Sequence, residues 1–351
     1  MNRTIKVCIG ILITLFIGVF AFFTAATLAQ TTPGLDVTLS PTVIELLANP
    51  GDSIHQTFRI RNNTSSPVDL TISLDKLTVQ NGQVTPTNFQ PGDSSSSWIT
   101  FDKNTLSARP KEWTDIPFSV DLPKTAAFGY YYAIRIGPAN SSQKANTPSA
   151  KLLGQVILPV LINVRSPGAK AELKIVNFST PSLVEYLPAT FSVAIKNTGN
   201  VYIKPRGNIF VQTSANHDIA TLDVNPSLGV VLPGGTRTFT SDWKDGFFVR
   251  EVVTEDDGTI KKDASGNPIT HLTINWDKLT HFRIGKYSAT VIVAYDNGKR
   301  DVPLEATTTF WVFPYKLIGG TLVGLIVLFF VGRFIIQWYI RREVNKYKTQ
   351  G

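Results

Sequence analysis

The sequence predicts an all-β protein, with two β-sandwiches in tandem followed by a single membrane-spanning α-helix. Short segments of alternating apolar and polar residues, such as residues 57–61 and 191–195, end in clusters of Asn, Gly, Asp or Ser. Such segments fill residues 35–313 and are typical of antiparallel sandwiches. The same strand pattern occurs twice, and a long apolar run, residues 317–340, follows the second copy.

The chain begins with the features of a secretory signal peptide. Arg3 and Lys6 precede an apolar run at residues 9–23, and small residues follow up to Ala29. A basic segment, an apolar segment and an A-x-A-like site are the parts of a cleavable signal. Residues 1–29 are therefore predicted to be removed after Ala29. An uncleaved signal anchor is the alternative.

Two short patterns recur along the exported region and divide it in two. They are Phe58-x-Ile60-x-Asn62 with Phe191-x-Val193-x-Ile195-x-Asn197, and Gly129-x-Tyr131-x-Ala133 with Gly285-x-Tyr287-x-Ala289. They predict immunoglobulin-like sandwiches over residues 35–166 and 169–313, the second with a hairpin insertion at 251–270. Chance similarity between two β segments is the alternative explanation.

Residues 317–340 are predicted to form a transmembrane helix. At 1.5 Å per residue they span about 36 Å, which exceeds a hydrocarbon core of ~30 Å. Aromatic and basic residues mark the two boundaries, as interfacial anchors do. These anchors are Tyr315 and Lys316 on one side and Trp338, Tyr339, Arg341 and Arg342 on the other.

The basic tail, residues 341–351, sets the predicted orientation. Positive charge accumulates on the cytoplasmic side of membrane proteins, so the tail is predicted to be cytoplasmic and the sandwiches extracellular. Within the helix, Gly320-x-x-x-Gly324 would allow a second helix to approach closely. A helix that simply tolerates glycine is the alternative.

The charge distribution argues against nucleic acid as a partner. The net charge is +8, of which the signal peptide supplies two and the segment from Leu317 onward a net four. Residues 31–316 therefore keep only +2, too little basic character to drive phosphate binding.

Residue types and spacings give no support for catalysis. Cys8, the only cysteine, lies in the predicted signal peptide, so the mature chain has no thiolate chemistry. The four histidines form no HExxH pattern, and no G-x-S-x-G, Walker or Rossmann motif occurs. We predict no enzyme, no cofactor, no metal site and no small-molecule substrate. Carboxylates that converge in one cleft would escape this reasoning.

Aromatic residues supply the candidate binding site. Trp98, Trp113, Trp243 and Trp276 could each contact a ligand or belong to a core. Trp243 with Phe247 and Phe248, flanked by charged residues, is the least strand-like group. These three residues are predicted to form an exposed ligand contact.

Several turn-and-strand segments, together with the order of the parts, carry a family resemblance. They are Asn49-Pro50-Gly51-Asp52, residues 195–203, Leu232-Pro233-Gly234-Gly235 and Gly285-x-Tyr287-x-Ala289. In them the chain resembles the WxL-interacting proteins of Gram-positive-type bacterial surfaces. The resemblance implies that the first sandwich binds peptidoglycan and the second binds a protein.

The sequence thus predicts a non-enzymatic, membrane-anchored protein of the cell surface. Its sandwiches would bind a cell-wall polymer such as peptidoglycan, or another exported protein. The alternative is a structural or assembly subunit of an envelope complex, which would associate through its membrane helix and edge strands.

Overall fold

The computed structural model describes residues 35–139, 154–255 and 258–348, without the side chains of Tyr339 and residues 341–348. The predicted signal peptide, with Cys8 and the cleavage site after Ala29, lies outside the described residues. So do the side chains of the anchors Tyr339, Arg341 and Arg342. The described chain is mostly β-structure with one C-terminal α-helix, which confirms the predicted secondary-structure class.

The described residues before 165 form two sheets, which we call the N-terminal sheets. Their strands are β1 (Val37–Ser40), β2 (Ile44–Ala48), β3 (Ser53–Asn62), β4 (Val68–Gln80), β5 (Gln83–Thr87), β6 (Ile99–Phe101), β7 (Thr105–Ala108), β8 (Trp113–Asp121), β9 (Phe128–Pro138) and β10 (Val156–Val164). One sheet has the order β1-β3-β8-β6. The other has the order β2-β10-β9-β4-β5, with β7 also paired to β4 and with β2 parallel to β10.

The described residues from 173 to 312 form the C-terminal sheets and a separate hairpin. The strands are β11 (Leu173–Ser179), β12 (Leu183–Val184), β13 (Ala189–Asn197), β14 (Arg206–Thr213), β15 (Asp218–Asp223), β16 (Thr236–Trp243), β17 (Phe248–Val252), β18 (Thr270–Ile274), β19 (Gly285–Asp296) and β20 (Asp301–Val312). The sheet orders are β11-β13-β16 and β12-β20-β19-β14-β15, and β17 pairs with β18.

Alternation along the strands places one apolar face of each sheet inside. Among the N-terminal sheets, Phe58 of β3 and Phe118 of β8 lie with ring centroids 6.1 Å apart in the first core. Among the C-terminal sheets, Phe191 of β13 and Phe310 of β20 lie 5.4 Å apart in the second core. Each core lies between two facing sheets, the layer arrangement of a β-sandwich.

The first recurring pattern ends in a buried asparagine that makes the same hydrogen bonds in both places. Asn62 donates from Nδ2 to the carbonyls of Ser66 (2.8 Å) and Ala108 (3.0 Å). Asn197 donates from Nδ2 to the carbonyls of Val201 and Val231, both at 2.8 Å. Each Oδ1 accepts from the backbone N–H two residues on. Both side chains are fully buried, so these bonds satisfy amides that would otherwise be costly.

The two copies of the second recurring pattern, Gly-x-Tyr-x-Ala, place their tyrosine and alanine side chains on different faces of their sheets. Tyr287 and Ala289 of β19 point into the second core. Tyr131 and Ala133 of β9 belong instead to a cluster on the opposite, outer face of their sheet. Tyrosine and alanine share a face in each strand, as a period of two requires, but the two faces are not equivalent.

Between β17 and β18, the described residues 253–255 and 258–269 fold back on themselves twice. The Lys261 N–H donates to Val253 O and the Ile269 N–H donates to Lys261 O, both at 2.9 Å. One turn is closed by the Glu255 N–H on Thr259 O and the next by the Asp263 N–H on Asn267 O. These hydrogen bonds continue the pairing of the β17–β18 hairpin beyond its two strands.

Asp245 holds the loop of residues 275–284 to the end of β16. Its carboxylate lies 3.0 Å from Lys278 Nζ, 3.0 Å from His281 Nδ1 and 2.7 Å from Arg283 Nη2. Burial by itself would raise the pKa of Asp245, but the hydrogen bonds from Lys278, Arg283 and His281 outweigh it and lower the pKa to about 2. We call this group the Asp245 clamp.

The helix α1 (Tyr315–Lys348) follows β20 almost directly. Its first 24 residues, Tyr315–Trp338, have a mean hydropathy of 2.2, and none of them is buried in the described chain. This stretch is long and apolar enough to cross a membrane. A Cβ placed on Gly320 or Gly324 would meet nothing within 4 Å, so this face of the helix is open to a neighbour.

Replacing a buried asparagine should be far more costly than replacing an exposed one. Asn197→Ala leaves two carbonyls and one N–H of the core unpaired, and we expect a loss of about 3 kcal/mol in the free energy of unfolding. Asn62→Ala should lose a similar amount. Urea unfolding of the detergent-solubilised full chain measures both. Exposed Asn177, whose side-chain amide donates to Ser179 Oγ, provides the control variant Asn177→Ala. Equal losses in Asn197→Ala and Asn177→Ala would contradict the role of the buried amide.

The Asp245 clamp should make stability depend on acid pH. Because the pKa of Asp245 is lower in the folded chain than the ordinary 3.8, its stabilisation is complete above about pH 4 and is lost as the pH falls toward about 2. Asp245→Asn should therefore be less stable at neutral pH and should lose less of its remaining stability across that window.

Urea midpoints at neutral pH, about pH 4 and about pH 2.5 test this expectation. Asp245→Asn should still lose some stability at acid pH, because hydrogen bonds from Lys76 and Ser95 also lower the pKa of Asp93 to about 2. Asp277→Asn is the matched control, since Asp277 lies in the same loop but forms no ion pair with a described residue. An unchanged pH dependence in Asp245→Asn would contradict the assignment.

Candidate functional site

Trp243 lies inside the second core, so its predicted exposure was wrong. The side chain is 1% exposed, and its ring contacts Tyr287 at 5.3 Å and Phe310 at 6.2 Å between centroids. The reason is that β16 extends through Trp243, which pairs with Ala189 of β13. Phe239 and Trp243 are four residues apart and so lie on the same face of a strand. This spacing was the sequence signal that Trp243 faces inward with Phe239.

Phe247 and Phe248 form the base of an aromatic cluster and do not stand free. Phe247 is 6% exposed, which contradicts its predicted exposure, and Phe248 is half-buried. Phe247 stacks on Phe282 with centroids 4.8 Å apart and meets Trp276 edge-on at 5.7 Å. The outer members are the exposed ones, with Trp276 67% and Phe282 48% accessible.

Of the other two candidate tryptophans, one packs against a core and one is exposed. Trp98 packs against the first core and meets Tyr130 at 4.6 Å between centroids. Trp113 is 41% exposed on β8, with the Arg59 guanidinium 4.9 Å from its ring. Trp113 and Trp276 are therefore the accessible members of the four, and they belong to different sheets and loops.

A large cleft lies between the N-terminal and C-terminal sheets. Its volume is ≈ 830 Å³, within the range of ligand-binding clefts. One wall is the outer face of β2, β4 and β10, and the other is the segment 227–238. The lining residues are Val43, Glu45, Leu77, Gln83, Val84, Pro159, Leu161, Lys204, Ser227, Leu228, Gly229, Val230, Val231, Leu232, Gly235, Thr236, Arg237 and Thr238.

The floor of this cleft is an apolar contact between the two walls. Leu77, Ala133 and Leu161 of the N-terminal sheets pack with Leu232, and all four side chains are buried. Tyr131 and Tyr202 flank this contact with ring centroids 6.3 Å apart. The contact removes apolar surface from water and thereby holds the two walls together.

One end of the cleft is closed by polar contacts around Tyr202. The Asn163 amide bonds twice to its backbone, donating to Tyr202 O and accepting from Tyr202 N, both at 3.2 Å. The Tyr202 hydroxyl donates to Glu45 Oε2 at 3.5 Å, and Glu45 also forms an ion pair with Lys204. Burial, reinforced by the Glu45 carboxylate, raises the pKa of Tyr202 to about 12. Tyr202 is therefore a neutral hydrogen-bond donor here.

The other end is closed by the β4–β5 hairpin. Asn81 and Gly82 form its two-residue turn, with φ of 52° and 78°, the left-handed conformation in which Asn-Gly is favoured. The carbonyl of Gly82 accepts a 3.0 Å hydrogen bond from the backbone N–H of Thr236, the first residue of β16. The hairpin tip thus touches the opposite wall.

The loop 225–231 forms the rim. Asn225, which is buried, donates from Nδ2 to Pro205 O and Gly229 O at 2.8 and 2.9 Å. The Arg237 guanidinium donates to Val230 O at 3.0 Å and lies so close to Gly229 that a Cβ there would come within 2.7 Å. With its backbone held in this way, the loop presents Leu228, 53% exposed, to the cleft.

This arrangement suits non-covalent binding. The cleft combines an aliphatic floor with Lys204 and Arg237 as cations and Glu45 as an anion. Within residues 35–139, 154–255 and 258–348, no group of three His, Cys, Asp or Glu side chains is arranged to hold a metal ion. Sequence reasoning missed this cleft because Glu45 and Tyr202 are 157 residues apart. Asn81-Gly82 predicts the hairpin, but nothing in the sequence indicates what its tip touches.

A second, much smaller cavity of ≈ 20 Å³ joins the aromatic cluster to the start of the helix. It is lined by Phe247, Phe248, Phe282, Ile284 and Pro314, among others. A volume of this size holds about one water molecule and no larger ligand. The lining of this cavity shows that the aromatic cluster lies beside the first turn of α1.

Comparison with known proteins gives structural likenesses only. No protein-family model matches the sequence, and no curated protein sequence matches it. Among solved structures, the YadV chaperone is 12% identical with a TM-score of 0.35, over 78% of this chain and 100% of that one. The CfaA class 5 fimbriae chaperone is 13% identical with a TM-score of 0.34, over 78% and 99%.

The CsuC–CsuE chaperone–tip adhesion subunit pre-assembly complex of Acinetobacter baumannii also matches. It is 12% identical with a TM-score of 0.33, over 58% of this chain and 89% of that one. At TM-scores of 0.35 and below, these likenesses imply nothing about what this chain binds.

Proposed function

We propose that the protein is a non-enzymatic, membrane-anchored binding protein of the cell surface, and that its cleft takes a segment of another exported protein. Two tandem immunoglobulin-like sandwiches, residues 35–166 and 169–313, would form the extracellular part. Residues 317–340 would cross the membrane, and the tail 341–351 would lie in the cytoplasm.

The observation that carries the proposal is the ≈ 830 Å³ cleft and the character of its lining. Sugars are commonly bound against aromatic rings, whereas the described lining side chains are aliphatic, polar or charged and include no aromatic ring. Val84 and Leu228, which are exposed, and Val43 and Val230, which are half-buried, provide the kind of surface that accepts the apolar side chains of a polypeptide. This favours a protein ligand over a cell-wall polymer.

The charged groups of the cleft would then serve orientation and specificity. Arg237 donates one guanidinium N–H to Val230 O and has further N–H groups for carboxylates or backbone carbonyls of the bound segment, whereas Lys204 and Glu45 are paired with each other. Charges at the rim of an apolar site contribute more to specificity than to affinity.

The resemblance to WxL-interacting proteins agrees with this proposal in part. It implies a protein ligand and a membrane-tethered pair of sandwiches, as proposed here. It also implies peptidoglycan binding by the first sandwich, for which the described residues offer Trp113, an exposed tryptophan on β8. Peptidoglycan is therefore the second candidate ligand.

The alternative function is an assembly subunit that associates within the membrane. It is favoured by the open face at Gly320 and Gly324, where nothing lies within 4 Å of an added Cβ. Small residues on a helix face allow another transmembrane helix to approach closely. Such a partner would be retained when the cleft is blocked.

Blocking the cleft should abolish capture of the protein ligand. A photoreactive residue in place of Val84, which is 46% exposed in the lining, should crosslink to a polypeptide in cells that express the full chain. Leu228→Asp in the same chain should reduce that yield by at least about tenfold, because a carboxylate is costly to bury in an apolar site. Leu228 has φ of 51°, a conformation that Asp tolerates well.

Val176→Asp is the matched control for this experiment, since Val176 is 52% exposed on β11 and does not line the cleft. It should leave the crosslinking yield unchanged. An adduct with a glycan would point to the polymer ligand, and an equal loss with both variants would contradict the cleft as the binding site.

The orientation of the chain can be tested with single cysteines, because Cys8 is its only native one. Ser265→Cys in the hairpin segment should react with a membrane-impermeant maleimide in intact cells. Thr349→Cys in the tail should react only after permeabilisation, because the basic tail is retained inside. The unsubstituted chain gives the background. Labelling of Thr349→Cys in intact cells would contradict the proposed topology.

A further inference from the structure

We infer that the loop 275–284 inserts its apolar side chains into the interface of the lipid bilayer beside α1. The inference rests on the proposed membrane anchoring and adds a second membrane contact to it. That contact would fix the tilt of the C-terminal sheets over the membrane.

The loop exposes more apolar surface than a soluble loop of its length requires. Trp276 is 67% exposed, Leu279 58%, Phe282 48% and Ile284 44%. Four large apolar side chains are exposed within nine residues, and clusters of exposed apolar side chains, which we call a patch, mark interaction sites on soluble proteins.

The position of the patch identifies its partner. Phe282 and Ile284 line the same small cavity as Pro314, the residue before the first residue of α1. Trp276 is joined to Phe282 through Phe247, whose ring contacts both. If Tyr315 lies at the membrane boundary, this patch lies at the depth of the headgroups and the first acyl carbons. Trp and Phe partition favourably into that region.

The other side of the helix start carries matching residues. Trp311 and Leu183 pair across β20 and β12 and are 49% and 50% exposed, and Phe313 is 38% exposed. Lys316 donates to Glu185 at 3.0 Å, which ties the first helical turn to the C-terminal sheets. Apolar groups thus surround the point where the chain would enter the membrane.

The Asp245 clamp prepares the loop for insertion. Lys278, His281 and Arg283 converge on one carboxylate, so the basic groups of the loop are already paired. The Phe247 N–H donates to His281 O and the Asn275 N–H donates to Phe247 O, at 3.0 and 2.9 Å. A loop held in this way loses little conformational entropy on insertion. Because the positive charges of Lys278 and Arg283 are balanced by the carboxylates of Asp245 and Asp277, insertion depends on apolar surface and does not require anionic lipid.

The test uses the full chain reconstituted into phosphatidylcholine vesicles with and without brominated acyl chains. An environment-sensitive fluorophore is attached at Trp276→Cys, at Ile326→Cys in the middle of α1, or at Trp113→Cys, which is 41% exposed on β8. We expect bromine to quench the fluorophore at position 276 at least about threefold more than at position 113, with little change at high salt.

Position 326 separates the two proposals. Strong quenching at 326 with quenching at 276 no greater than at 113 would overturn the inserted loop and leave membrane anchoring intact. No quenching at 326 would overturn anchoring, and the inserted loop with it. A blue shift at 276 without bromine quenching would show that protein covers the patch, which also overturns lipid insertion.

Discussion

The packing of Leu232 against Leu77, Ala133 and Leu161 is the contact on which the candidate site depends. It joins the outer face of an N-terminal sheet to a loop of the C-terminal sheets. The cleft walls come from these two surfaces, so the cleft exists only while they are in contact. The polar contacts at its ends, around Tyr202 and at the Gly82 carbonyl, then set the angle between the walls. Apolar burial supplies the attraction and the hydrogen bonds supply the geometry.

Buried asparagines do related work within each half of the chain. Asn62, Asn197 and Asn225 each donate from Nδ2 to the carbonyl of the residue four positions on, and each also bonds a second strand or loop. A short amide can satisfy several backbone groups at a strand end where no ladder continues. The loop held by Asn225 is the one that presents Leu228 to the cleft. The same asparagine hydrogen-bonding arrangement that stabilises the fold at Asn62 and Asn197 thus also shapes the proposed binding site at Asn225.

Particular residues show how far sequence reasoning reaches. Alternation at residues 57–61 and 191–195 predicted strands, and β3 and β13 confirm them. The same alternation runs through residues 239–243, yet Trp243 was predicted to be exposed and lies in the core. The recurrence of Gly-x-Tyr-x-Ala was real as a pattern, yet Tyr287 faces a core and Tyr131 faces the other half of the chain. A period of two says that side chains share a face, but it does not say which face is covered.

By itself the sequence determined the elements of this protein: β-strands from their alternation, and one long apolar helix from its composition. These properties are local, since they depend on the spacing of residues along one segment and on the burial of its apolar face. The tertiary structure decided which aromatic residues are accessible, where the cleft lies, and that Glu45, Tyr202 and Lys204 meet. It also placed the loop 275–284 beside the start of α1. Such contacts join residues far apart in the chain, and their free energy comes from the packing of finished sheets, which no single segment records.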